Sequence, residues 1–462
     1  MNVRIGIESE LPTVDAQGMA ADERSVQALF GRLARQEGFS TYSDATSGTV
    51  VGVRSRRGSG TLDVGNDYGF CTVEMALPPE EGFAAAKSAW HHTLDSLLLP
   101  ALGAEALSVL AHGCQPRTET LGRAYLADKG HYQFWLAQAE RFPGHYASDA
   151  WPGFAAVQFN IDVPLSDVIP VCNTLISMTP LLCAWGANSA VFGERVQSWQ
   201  SLRMRGYQEL AESNPFFADR LLFPRRLYSG LAQYMQDAWA TPVFEVTRAG
   251  MIYRPMAVEL TTAEFAAAGE AEFVDFHGAK RTLQCTVGDL ASGLVFYWPA
   301  VRVRMRLDET CSVAEVLAAV AAGRPESVLH NGGRDTFVEV RHLPTMSRPE
   351  TFSWLAMILG WLDNIEQCEK LFRPWTLALS RAAMPQVQAH GWDAEAAGAP
   401  IGQWAQQAFA VAEEGLRRGK AAPAEELEPL ARRLRDRTNP ATDAVACLRA
   451  EGIEALVEKL RM

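Results

Sequence analysis

The eight cysteines of this 462-residue chain, at 71, 114, 172, 183, 285, 311, 368 and 447, include no C-x-x-C pair. A disulfide framework and a zinc ribbon both need cysteines at short, paired spacing, so neither is expected. Most of the thiols sit beside apolar neighbours, and they read as buried and reduced. Positive charge is also in deficit: 42 Lys and Arg face 54 Asp and Glu, a formal net charge of −12. Phosphate backbones and anionic lipid surfaces both recruit basic faces, so neither nucleic acid nor a membrane is an expected partner. The nine histidines are scattered and no H-E-x-x-H helix occurs, which argues against a metallohydrolase built on histidine. His91 and His92 read as packing or surface residues on an amphipathic helix. No G-x-x-x-x-G-K-[ST] loop is present; Gly415 to Lys420 comes near it but lies in a helical tail. No G-x-G-x-x-G follows a strand, and no G-x-S-x-G elbow occurs.

Long hydrophobic runs are scarce. The stretch from Val168 to Gly193 carries no charge, but Pro170, Asn173, Thr179, Pro180 and Asn188 interrupt it. A buried helix followed by a loop over the active site suits it better than a membrane span. An apolar leader is missing too, because Arg4, Glu8 and Glu10 stand where its core would be. The expected location is the cytoplasm.

What is present is material for a large core: 48% apolar residues, with 12 Trp and 21 Phe. Strand-like patterns are expected at 1–13, 49–54, 70–77, 154–163, 244–253, 294–305 and 336–342. Helical spacing covers 22–37 and 82–99, the second stopped by Pro100, and 56–60 reads as a hairpin turn. After Arg373-Pro374 the pattern is helical to the end, with Asn439-Pro440 as a helix start. Residues 1–375 are expected to form a catalytic unit and 376–462 a helical extension packed on it. Strands without regular βαβ alternation predict an α+β fold with a mainly antiparallel sheet.

The chemistry-bearing residues sit on those strands. Glu8 and Glu10, two apart, aim two carboxylates at one face of the first. Glu339 and Arg341 do the same from a late strand, and Arg302 and Arg304 make a cationic face on another. Glu74 interrupts an apolar strand, where an unpaired charge is costly unless something binds it. Asp67 lies just upstream, and Gln158, Asn160 and Asp162 line one face of a further strand. Each alone is accounted for as the solvated face of an antiparallel strand. Together they form acidic and basic faces on strand after strand. Such carboxylates suit a hard cation such as Mg²⁺, with Arg341 placed to hold a phosphoryl oxygen.

These same residues resemble the glutamate–cysteine ligase superfamily, closest to its plant-type branch that also occurs in bacteria. Gly6-Ile7-Glu8-Ser9-Glu10 is similar to that family's G-x-E-x-E strand, and Thr72-Val73-Glu74 to its second acidic strand. Val157-Gln158-Phe159-Asn160-Ile161-Asp162, Ala187-Asn188-Ser189, the segment from Phe296 to Arg304, and Glu339-Val340-Arg341 resemble later family segments in the same order. The chain departs from the family pattern at His342-Leu343-Pro344, at 67–70 and in the long separation of Arg304 from Glu339. These departures bear on which acid and amine are used.

The resemblance implies a curved half-barrel like the glutamine synthetase core, using ATP and Mg²⁺ as cofactors. ATP would phosphorylate the γ-carboxylate of L-glutamate, and the amine of L-cysteine would displace the phosphate. Glu8, Glu10, Glu74 and Glu339 are the implied metal ligands, and Arg341 the implied γ-phosphate clamp. Arg302 or Arg304 would hold a phosphate or a substrate carboxylate; Gln158 and Asn160 would join Arg341 around the nucleotide. Arg123, Arg203 and Asp67 would meet the amino-acid substrates. Three alternatives remain open: a ligase joining glutamate or another acid to a different amine, a phosphotransferase that stops before amine transfer, and a binding protein without turnover. Partners are small molecules, and the oligomeric state is open, a homodimer being one option.

Overall fold

Strand β1 (Arg4–Val14) alternates Ile5, Ile7 and Leu11 with Gly6, Glu8 and Glu10. That alternation gives it one face for a core and one for chemistry. The structure, a computed structural model, describes residues 3–58, 60–149 and 151–462. Met1 and Asn2 of the expected opening strand, and Ser59 of the expected 56–60 turn, lie outside the described residues.

Around β1 stand β2 (Phe39–Ser43), β3 (Val50–Arg57), β4 (Gly60–Asn66), β5 (Thr72–Ala76), β6 (Val157–Asp162), β7 (Val301–Arg304) and β8 (Phe337–Val340). They form one sheet in the order β7-β8-β6-β1-β5-β4-β3-β2, antiparallel throughout. Two short strands, Glu80–Glu81 and Ser108–Val109, also pair with β1. The sheet curls into a half-barrel, and the fold is α+β as expected.

Register stacks the apolar residues of the central strands. Ile5 faces Ile161, Ile7 faces Phe159, and Val338 and Val340 continue both rows to Val303 and Val301. All eight side chains are buried in the main core. Helices α1 (Glu23–Leu33), α2 (Gly82–His92) and α3 (Val168–Ser177) pack against the sheet. Ser9 interrupts the apolar row of β1, and Trp90 of α2 donates its indole N–H to the Ser9 hydroxyl at 2.9 Å.

Several sequence expectations are corrected. Pro100 does not end the second helix: α2 passes into a π-helical turn, Thr93–Leu98, and then a further turn, Leu99–Ala104. Pro100 falls in the first turn of that last piece, where a missing N–H breaks no helical bond. The expected strand 244–253 is a hairpin, Val246–Arg248 and Met251–Pro255, turned at Ala249 and Gly250, both with positive φ. With Glu270–Asp275 and Lys280–Gln284 it makes a separate four-stranded sheet. The expected strand 294–305 begins as the end of a helix, Val287–Val295, started by a Thr286–Asp289 capping box.

The uncharged stretch at 168–193 opens with α3 and α4 (Thr179–Trp185), bent by 52° at Met178. Both are buried inside the protein, and among the described residues no single helix is long and apolar enough to cross a membrane. After α5 (Leu202–Ser213), α6 (Arg348–Leu362) packs along α7 (Ile401–Gly419), and Trp361 donates its indole N–H to the Ala408 carbonyl at 2.9 Å. Asn439, N-cap of the helix Pro440–Glu451, also donates to the Ala184 carbonyl at 2.9 Å.

Candidate active site

The polar faces of the same strands meet by register. Glu10 lies opposite Glu74, Glu8 opposite Gln158, and Gly6 opposite Asn160. Asn160 in turn lies opposite Glu339, which faces Arg302. Residues more than 300 positions apart therefore share one concave surface. Four acids, Glu8, Glu10, Asp67 and Glu74, line a cavity of ≈ 200 Å³ on that surface. Gln158, Arg203, Arg302 and Arg341 line it too. A second cavity, of ≈ 560 Å³, takes the next residues along the same strands: Gly6, Asn160, Asp162, Arg304 and Phe337.

The acids are under strain from burial and from one another. Burial raises the carboxyl of Glu8, and the charge of Glu339 adds to it. Glu10 is pushed up to about 8 by burial and by Asp67. Glu74 is raised well above its ordinary range by burial, then by Asp67, Glu8 and Glu10. Burial also raises Asp67. Hydrogen bonds fix two of the four: Asn160 donates to Glu8 at 2.7 Å, and Gln158 and the Ala156 amide donate to Glu10 at 2.6 and 2.7 Å. Among the described residues the Glu74 carboxylate has no hydrogen-bond or ion-pair partner.

Glu339 behaves differently. One of its oxygens accepts from Arg302 at 2.8 Å and stands 3.5 Å from Arg304, while the other accepts from Arg341. Burial alone would raise this carboxyl, but the three guanidinium groups outweigh burial and hold it far below the usual range. The charge of Glu339 likewise overrides burial to raise Arg341, whereas burial wins at Arg302 and lowers it to about 9. Glu339, an expected metal ligand, pairs through both oxygens with arginines in this structure. Arg341 also donates to Gln158 at 2.6 Å.

The structure does not bring Arg123 to the cavity. It sits in a short exposed 3₁₀ turn and pairs with Glu140. Arg203 does reach it, on α5: buried, stacked 4.7 Å from the Tyr207 ring centroid, with its Nε unpartnered among the described residues. Two groups of functional side chains escaped the sequence reading. Lys129, whose charge bears on Glu74 and Asp67, precedes a helix in a segment with no periodic signal. A set of aromatic rings, Tyr68, Tyr132, Trp135, Trp151, Tyr207 and Trp298, walls the same cavity. Apart from Tyr132 and Trp135, three apart on one helix, no local spacing links them.

Among the described residues no three His, Cys, Asp or Glu side chains close around one point in a way that would hold a metal ion. The donor chemistry nonetheless fits a divalent cation: carboxylates whose pKa values are raised by burial and then by one another's charge, one of them unpartnered, would be neutralised by a hard ion.

The sequence profile of glutamate–cysteine ligase family 2 matches residues 4–459. No curated protein sequence matches the chain significantly. Among solved structures, a glutamate–cysteine ligase from Francisella tularensis in complex with AMP aligns over 100% of this chain and 87% of its own, at 14% identity and a TM-score of 0.56. A bifunctional glutathione synthetase from Pasteurella multocida aligns over 99% of this chain and 51% of its own, at 11% identity and a TM-score of 0.48.

Proposed function

The chain belongs to glutamate–cysteine ligase family 2 and is an ATP-dependent carboxylate–amine ligase, and we propose that it joins the γ-carboxylate of L-glutamate to an amine through an acyl phosphate. The observation that carries this reading is the single sheet face on which acids and arginines of neighbouring strands line two cavities. The larger cavity, with apolar Val287, Ala291 and Phe337 near Arg304 and Arg306, suits a nucleotide base and its phosphates. The smaller one suits the acid and the amine.

Glu8, Glu10 and Glu74 would share Mg²⁺ ions, no one ion taking all three among the described residues, with water and phosphate oxygens as the remaining ligands. Mg²⁺ bound there would offset the charge that builds on the transferring phosphoryl group. Arg341, held by Glu339 and Gln158, points a fixed, planar cation at that charge. Arg302 and Arg304 are tied to the same carboxylate, so three cations are positioned before substrate arrives. Arg203, without a carboxylate partner, is the best-placed group for a substrate carboxylate. L-Cysteine is the amine carried in the family's name. A second reading, a different amine, is favoured by the aromatic walls.

ADP release tests the proposal. It should require glutamate, an amine and Mg²⁺ together, and Glu8→Gln should abolish it. Release with glutamate alone at the full rate would indicate a phosphotransferase, and no release with any pair would overturn the ligase assignment.

A further inference from the structure

Five of the rings that wall the smaller cavity close into a cycle. Tyr68 stands 4.9 Å from Tyr132, Tyr132 5.0 Å from Trp135, and Trp135 5.4 Å from Trp298, centroid to centroid. Trp298 is 5.7 Å from Trp151, which returns to Tyr68 at 5.3 Å. Interplanar angles of 60 to 82° make every contact tilted or edge-to-face, the arrangement in which aromatic quadrupoles attract. Four separate chain segments supply these rings: the end of β4, the helix Gly130–Ala139, the turn at Trp151 and the segment before β7.

An ordinary core would use such rings to fill space and would satisfy their polar atoms. Here they border a cavity that also contains Glu10, Asp67 and Arg203. Tyr68 and Trp151 are 3% and 9% exposed, yet the Tyr68 hydroxyl and the Trp151 indole nitrogen have no partner among the described residues. Neither atom reaches the cavity surface, so a ligand there would meet the faces and edges of the rings rather than these donors.

Building on the ligase reading, we propose that the acceptor amine carries an aromatic ring, seated against this wall, in place of the small thiol side chain of cysteine. One methylene and a thiol would meet only part of such a wall, whereas a flat six-membered ring offers faces and edges to several members at once. Bound there, the amine nitrogen attacks the acyl carbon of the γ-carboxyl phosphate. A C–N bond forms, the carbon–oxygen bond to phosphate breaks, and the proton lost by nitrogen leaves on inorganic phosphate. Arylalkylamines and aromatic amino acids share this chemistry, and Arg203 could serve the carboxylate of the second kind.

The test pairs ADP release with tryptophan fluorescence, since three of the five rings are indoles. Full-length protein with ATP, Mg²⁺ and glutamate is supplied with 2-phenylethylamine, tyramine, L-phenylalanine, L-cysteine or methylammonium. An aromatic amine should exceed L-cysteine in kcat/KM by roughly tenfold or more and should quench emission saturably, because discrimination in an apolar pocket is of that order. Whether 2-phenylethylamine or L-phenylalanine is used shows whether the acceptor bears a carboxylate. Trp298→Leu, or Trp135→Leu should the first variant melt early, should raise KM for the aromatic amine and leave KM for glutamate unchanged. Preference for L-cysteine, or quenching no stronger than that by methylammonium, overturns the inference while leaving the ligase reading intact. No ADP release with any amine overturns both.

Discussion

Glu10 holds its proton to about pH 8 because burial and the charge of Asp67 both oppose ionisation. An unfolded chain would release that proton near the ordinary value of 4.5. The folded state therefore binds more protons between these two values, and linkage fixes the sign. In metal-free protein, stability is complete below about pH 4.5 and is lost as pH rises through about 8. The Tm of metal-free protein should fall across that window, and Glu10→Gln should make the slope shallower. Mg²⁺ should restore Tm most at the alkaline end, where the carboxylates are charged. A flat wild-type profile would mean that these acids are not stressed in the folded state. The same substitution should abolish turnover, so a variant more stable than wild type at pH 8 would be catalytically dead.

At the scale of elements, α6 and α7 pack closely because glycines meet at the crossing. A Cβ on Gly415 would stand 1.9 Å from the Gly360 carbonyl oxygen, and one on Gly360 would stand 2.3 Å from that of Ala412. Gly415→Ala must wedge the helices apart and should cost about 1–3 kcal/mol in urea unfolding. Gly103→Ala, which meets nothing within 4 Å, should not. How far each element was legible in the sequence follows from how local its signal is. The strands carrying Glu8, Gln158 and Glu339 were readable because a period of two puts charge on one face and Ile or Val on the other. The hairpin at 246–255 was hidden because β-forming residues on both sides of Ala249-Gly250 read as one strand. The helix at 287–295 was hidden likewise, its capping box set against a run that reads equally well as strand. The acids and arginines of the cavity were visible for the same periodic reason. Their pairing was not, because a strand acid looks alike whether its neighbours are arginines, as at Glu339, or other acids, as at Glu74. The aromatic cycle needs four segments folded together before it exists.

At the scale of the whole molecule, one sheet separates two environments. Helices pack against the apolar face, and the polar face joins a nucleotide-sized cavity to a smaller one through a row of acids and arginines. Under the proposed function this row is where a carboxylate becomes an acyl phosphate and then an amide. The fate of oxygen tests that most directly. With L-glutamate labelled by ¹⁸O in its γ-carboxylate, and whichever amine supports ADP release, one labelled oxygen should appear in the inorganic phosphate formed per amide bond. Unlabelled phosphate, with amide still produced, would contradict activation of the carboxylate by phosphoryl transfer.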